Sequence, residues 1–542
     1  MLLNIKKLFI IFCFFVTAVC LYSQTEKKSF LNIILADDLV FDDIRFLSLE
    51  AGIPFLSFSP PLSPYELKRF LNFIDENNLS QAGTDAYNRV LDRIDPKKPP
   101  ISWSDELFGV SLNFITTIEG KIRFNEDISW EGDLGKVSPL ISFPLQFFFT
   151  DYVQMYIEPV ISVKSRSFGT DIFFTNLPDD FNPKYWALRS FASAGGSWWN
   201  FFIGRDHLYW GSGHTGSLSF SNDTPYYDFA KVSFFTRYFK YSFIVNHMPL
   251  KLNSFNKTNL ISETSNWTSD SNKSINRYFY LHRLDVNILN KITVSAMEGL
   301  ITGNSPPELR FLNPLSIYHS LYALDDYDQT KGSNIGSFFS VEINWNIFKP
   351  LAVYGQFVMN EVSLPSEKDR GEDLPPNGLG FLAGVHFSLP INSWGSLYYL
   401  EFIYTDPYLY ILSSPFCSFI QQDYHYYLTG HSRDTISLTA GARFFNNDSL
   451  SFLSKFSWIA RGQHNSDGVR WDWSNENNEY DEKTPSGIAE NKFLLSLETE
   501  WKPLSWLALK AGITGIISNN NKHESGSSEL GGQAWLSAEI TY

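Results

Sequence analysis

Residues able to do chemistry gather most densely between Gly204 and Asp228 of this 542-residue chain. The run begins Gly204-Arg205-Asp206-His207-Leu208-Tyr209-Trp210-Gly211-Ser212-Gly213-His214. It continues Thr215-Gly216-Ser217-Leu218-Ser219-Phe220-Ser221-Asn222. Asp206, His207 and Ser212 are the residue types of a hydrolase triad, but their context argues against one. Gly211-Ser212-Gly213 is not a nucleophile elbow. Adjacent residues of a strand point to opposite faces, which separates Asp206 from His207. Metal ligation by His207 and His214 fares no better, because their spacing has odd parity on a strand and no acidic cluster completes a shell. Sugar contact fits best. Arg205 and Asp206 can bracket hydroxyls or a uronic carboxylate, the arginine bidentately. Tyr209 or Trp210 can stack on a sugar face, and His214 completes the candidate set. The glycines let backbone or ligand approach closely. The competing reading is structural: a glycine-rich crossing packed against an inward-folded loop, with Arg205 paired in a lumen and Trp210 a packing residue.

What positions this stretch is a set of strands. From residue 105 the sequence alternates with period 2. Val110, Leu112, Phe114, Thr116, Ile118, Gly120, Ile122 and Phe124 share one face, and Ser111, Asn113, Thr117, Glu119, Lys121 and Arg123 share the other. Soluble strands seldom sustain this for so long, whereas a tilted membrane strand needs about 9–11 residues in the hydrocarbon. The code returns at Val153-Met155-Ile157, at Leu351-Val353-Gly355-Phe357-Met359 and at Phe493-Leu495-Leu497-Thr499-Trp501. One face carries charges of both signs and the other almost none, which is the division between lumen and lipid. By parity Arg283 and Asp285 share the lumenal face of one strand, and Glu298 is placed in the lumen from a later one. Their expected role is charge pairing across the lumen.

Composition agrees. Aromatics make up 17% of the chain, which suits a barrel with an apolar band and aromatic girdles. Mean hydropathy is only -0.16, as expected where lipid-facing and lumen-facing residues average out. A net charge of -15 excludes a general nucleic-acid trap. Cys13 and Cys20 fall in the N-terminal apolar run, so Cys417 would be alone in the mature chain, without a disulfide framework or a cysteine metal site. No nucleotide fingerprint appears, and no cofactor or metal is expected.

Residues 1–23 read as a signal peptide, with Lys6-Lys7 before an apolar run ending at Leu21. Lipidation at Cys20 is the rival fate. No later stretch is apolar for the length of a membrane helix. Residues 24–101 form a small helical segment on the periplasmic side. Ser63-Pro64-Tyr65-Glu66 is a capping box with proline at the first helical position, and a second helix follows Ser80. Such short helices must pack on something larger, and Pro96–Pro100 forms a linker. Residues 102–542 are the barrel. Asn253–Asn276, Ser363–Gly378, Asn465–Asn491 and Ser518–Gly532 are polar and read as its long outer loops. The last nine residues alternate and end on Tyr542, which resembles the C-terminal signal that the barrel-assembly machinery reads.

The central stretch resembles the signature of the Wzi-like capsule-assembly family of bacterial outer-membrane proteins. The matching pieces are Gly204-Arg205, Trp210-Gly211-Ser212-Gly213, Gly216-Ser217-Leu218 and Ser221-Asn222. His282-Arg283-Leu284, Glu298, Leu312-Asn313-Pro314 and Tyr354-Gly355-Gln356-Phe357 also match, while Asn360-Glu361 departs from an expected Asp-Glu. The resemblance implies an all-β antiparallel outer-membrane β-barrel of about 18 strands. It implies location in the bacterial outer membrane and lectin-like, non-enzymatic binding of a capsular or other surface polysaccharide. Outer-membrane lipid is the expected solvent. The alternative function is a pore for small solutes or oligosaccharides.

Overall fold

The computed structural model describes residues 31–95, 101–105, 107–131, 137–161, 166–167, 173–177, 189–221, 224, 226–251, 274–303, 306–318, 334–362, 376–412, 417–419, 432–446, 449–465 and 483–542. The signal peptide, Cys20, the Pro96–Pro100 linker and most of the long polar stretches lie outside them.

The period-2 stretches form one antiparallel sheet that closes on itself. Its last strand, Ser528–Thr541, pairs with Ile115–Phe124, with Gly532 opposite Phe124 and Thr541 opposite Ile115. Closure leaves the main wall without a free edge, the condition for sheet to stand in lipid. The sheet contains 24 segments rather than about 18. The excess arises in residues 101–175: two staves are split at prolines, which have no N–H for the ladder, and the short pairs Ile101–Ser104 with Phe108–Leu112 and Arg166–Ser167 with Phe173–Thr175 add further segments. Pro144 separates Ile141–Ser142 from Leu145–Phe149, and Pro159 separates Val153–Glu158 from Val160–Ile161. The proline carbonyls still serve: the Asn113 N–H donates to Pro144 O at 3.0 Å and the Phe143 N–H to Pro159 O at 2.9 Å.

Burial along the strands is the reverse of that in a water-soluble protein. On Glu490–Leu504, Phe493, Leu495, Leu497 and Trp501 are exposed on the outside, while Glu490 and Lys492 are buried inside. On Leu351–Glu361, Tyr354, Gln356 and Asn360 face inward and are buried. Apolar residues out and polar residues in is the pattern that hydrocarbon solvent selects. The polar stretch at Ser518–Gly532 is shorter as a loop than expected. Ser528–Gly532 already belongs to the last strand, because its outward positions accept small or polar residues near the rim.

The N-terminal segment has three helices: α1 (Val40–Ala51), α2 (Pro64–Leu71) and α3 (Gln81–Ile94). In α2 the Ser63 N–H donates to Glu66 Oε1 at 3.0 Å, and Ser63 Oγ accepts from Tyr65 N–H at 3.3 Å. In α3, Ser80 Oγ caps Gly83 N–H at 3.1 Å. Helix α1 carries no side-chain cap at Leu39 and ends on Gly52 in the left-handed region, φ 68°, where glycine is favoured. Ile44, Leu47, Leu67, Phe70, Ala86 and Val90 join the three in one core. The segment lies against the barrel end with short turns. Arg69 Nη2 donates to Ser197 O at 2.7 Å, Lys291 Nζ to Gly52 O at 3.0 Å, and Asn346 Nδ2 to Ser48 O at 2.7 Å. Buried bonds tie it to the lumen wall: Lys240 to Glu66 at 2.6 Å and Ser57 to Asp285 at 2.9 Å.

Candidate functional site

Strand Trp199–Asp206 rises to the long-loop end and Tyr227–Phe235 descends. Residues 207–221 turn into the lumen rather than outward. Close approach explains the glycines here. Gly204 has φ +148°, and a Cβ on it would lie 2.3 Å from Ser190 O. A Cβ on Gly213 would lie 2.2 Å from Gly216 O. The tip is held by wall residues from three strands. Glu401 accepts the N–H groups of His214 and Thr215 at 2.7 and 2.9 Å, and the Tyr354 hydroxyl at 2.7 Å. Ser212 donates to Glu342 at 2.8 Å, and Leu218 N–H to Gln356 at 2.8 Å. A second segment also enters: the Tyr410 hydroxyl donates to Leu218 O at 3.0 Å, and Leu409, Tyr410, Ile411 and Phe419 are buried beside the loop.

The five expected contact residues separate. Trp210 is 0% exposed. Its indole N–H donates to Pro60 O at 2.8 Å and its ring stands edge-on to Phe220 at 5.2 Å. A ring so enclosed offers no stacking face. Asp206 is buried toward the lumen, 2.5 Å from Arg189. Arg205 faces the opposite way, bidentate to Asp228 at 2.8 and 2.9 Å and lying 3.9 Å from the Tyr226 ring centre. It is neither beside Asp206 nor a lumenal partner, because the strand alternates. Tyr209 and His214 do come together. They form one wall of a cavity of about 220 Å³, and Asp37, Phe41, Asp42 and Arg45 form the other.

That second wall was not foreseen. Its signal was the paired aspartates Asp37-Asp38 and Asp42-Asp43, which on their own read as the acidic start of a helix. Arg45 donates from Nη2 to Gly213 O at 3.1 Å and packs 5.0 Å from the Phe58 ring centre. Its buried Nε has no hydrogen-bond partner among the described residues. Asp37 is half exposed and 2.8 Å from Arg189. Burial alone would raise the Asp37 carboxyl, but the guanidinium and its hydrogen bond outweigh it and hold the group below the usual range. His214 stacks on Tyr399 at 4.2 Å, with Nε2 3.1 Å from His386 Nδ1. Burial, then the nearby Arg45 and His386, push its pKa well below 6.5, so it is neutral. The Tyr209 hydroxyl lies 2.6 and 2.8 Å from Gly213 O and Gly216 O and donates to one at a time. The cavity thus joins aromatic faces to carboxylates and to the Arg45 guanidinium, whose Nη1 lies 3.7 Å from Asp42 Oδ1. It can hold a hydroxyl-rich ring.

The lumenal charges pair as parity suggests: Arg283 meets Asp285 at 2.8 Å and Glu342 at 3.0 Å. Glu298 does not join them. It stands opposite His282 in register, one residue out of phase with Arg283, and so faces outward.

No protein-family model and no curated protein matches the chain. Among solved structures it is similar to Wzi, described as an outer membrane protein involved in group 1 capsule assembly in Escherichia coli and a carbohydrate-binding β-barrel. Identity is 14%, the TM-score is 0.56, and the match covers 93% of this chain and 99% of that one. It is also similar to OpdO of Pseudomonas aeruginosa (13% identity, TM-score 0.40, 81% and 98% covered) and to OmpT of Vibrio cholerae (8%, 0.34, 81% and 99%). The chain has the fold of the Wzi outer-membrane β-barrel, which matches the resemblance in its signature residues.

Proposed function

We propose that this chain stands in the bacterial outer membrane with its helices on the periplasmic side, and that it binds a capsular or other surface polysaccharide for assembly or attachment, without catalysis. The carrying observation is the cavity between Tyr209 and His214 of the inward loop and Asp37, Asp42 and Arg45 of the N-terminal segment. A sugar has apolar faces and a rim of hydroxyls, and convergent aromatic and ionic groups match both. The fold likeness to a barrel described as carbohydrate-binding supports the same reading. Trp210, Asp206 and Arg205 then act as the frame, with Tyr209 and His214 as contacts.

The test is polysaccharide retained per correctly inserted barrel. Tyr209→Ala and Asp37→Asn should each lower affinity about tenfold, the equivalent of about 1.4 kcal/mol, while insertion is kept. Unchanged retention by both variants would overturn the assignment.

A further inference from the structure

The segment after strand Ile292–Gly303 behaves unlike the inward loops. Its described part, residues 306–318, runs along the outer face of the wall. On strand Arg277–Ile288, Arg283 and Asp285 point into the lumen, so Tyr278, Tyr280, His282 and Leu284 point out. Yet Tyr280 and His282 are buried. Residues 308–318 cover them. The Tyr318 ring lies 4.5 Å from His282 and the Phe311 ring 5.6 Å from Tyr280. The Tyr241 hydroxyl, 2.5 Å from His282 Nδ1, donates to Pro314 O. Phe311 is thus near the long-loop end of the wall, and Pro314 reaches Tyr241 near the short-turn end of Phe239–His247.

Without this cover the wall would present His282, Glu298 and tyrosine hydroxyls to hydrocarbon, an expensive exposure. The covering segment meets the demand that lipid makes on irregular backbone, satisfaction from within. Phe311 and Leu312 N–H donate to Glu308 O at 3.1 and 3.3 Å, Ser316 N–H to Asn313 O at 3.2 Å, and the Tyr318 hydroxyl to Phe311 O at 2.8 Å. Its far side is mostly apolar: Leu309, Leu315 and Ile317 are 85%, 84% and 64% exposed, with exposed Asn313 and the paired, partly exposed Glu308 and Arg310 as its polar groups. These side chains continue the apolar outer wall, where Leu284 and Ile288 are also exposed.

We propose that residues 308–318 are a lipid-embedded strap, latched to the wall through His282 and Tyr241, with Leu309, Leu315 and Ile317 inserted among the acyl chains of the surrounding bilayer. The proposal rests on the outer-membrane reading. Single cysteines at Leu309, Leu315 and Ile317, at Leu284 on the bare wall and at Ser527 in a loop would carry nitroxide labels. The unsubstituted chain is the blank, and each barrel is reconstituted in phosphatidylcholine vesicles. Labels at 309, 315 and 317 should relax more with oxygen than with a water-soluble nickel chelate, as at 284, and the order should reverse at 527. Nickel access at 309, 315 and 317 with oxygen access at 284 would overturn the strap alone. Nickel access at 284 as well would overturn the membrane reading itself. Spin–spin broadening between labels at 315 would show a second copy covering the face and would overturn lipid as the occupant.

Discussion

Glu66 holds two structures together with its two oxygens. Oε1 caps α2 through the Ser63 N–H and Oε2 receives Lys240 at 2.6 Å, both side chains being buried. Removing one partner of a buried pair leaves an uncompensated charge, which costs about 3–5 kcal/mol. Glu66→Ala should lower barrel stability by that order in urea unfolding, and adding Lys240→Met should recover most of it. A neutral single variant would refute the pairing. Trp210 makes a sharper contrast. Its burial against Phe220 and its bond to Pro60 predict a loss of about 3–5 kcal/mol for Trp210→Ala, with binding per folded molecule unchanged. Tyr209→Ala should show the opposite pattern. The types of these residues were legible in the sequence, but their exposure was not. Whether the Trp210 ring is free depends on Pro60, 150 residues away, and no local pattern encodes that meeting.

At the scale of elements, strands were readable because lipid and lumen impose a strict two-residue code, and the parity at Thr117–Arg123 and Tyr354–Asn360 follows it. Helix α2 was readable from its capping box. That helix falls within residues 35–100 was readable too, but the bounds of α1 were not, since Leu39 offers no capping side chain and its Val40, Phe41 and Ile44 face serves a core shared with α3. The inward packing of residues 207–221 was legible only as one of two readings, because its acceptors Glu342, Gln356 and Glu401 belong to later strands. This loop should respond to acid. His214 is packed by His386, Tyr354, Tyr399, Glu401 and Arg45, and burial first, then the cations, depress its pKa. The unfolded chain therefore binds a proton near pH 6.5 that the folded loop refuses. Stability is present above that pH and declines as pH falls below it. Unfolding midpoints at pH 5 should lie below those at pH 7.5, and His214→Gln should flatten the difference attributable to this site.

At the scale of the whole molecule, the N-terminal segment, the inward loop, Leu409–Leu412 and Cys417–Phe419 occupy lumen that an open pore would leave to water, while Glu500, Lys510 and Glu539 form partly exposed pairs on the remaining wall. Planar-bilayer recordings should give no large, stable channel from the full chain; one would favour the pore reading. The closed sheet could be foreseen, but the interruptions at Pro144 and Pro159 show how the strand count departs from the pattern. The seam joining Ile115–Phe124 to the last strand has a temporal meaning. Arg123 and Gln533 touch across it at 3.1 Å though 410 residues apart, so this contact carries one of the largest chain-closure penalties and can form only once the last strand exists. The helices, made first, have partners such as Lys240 and Asp285 on walls made later. Until the seam shuts, those helices can reach the lumen from the side. Afterwards their only route is the mouth at the short-turn end.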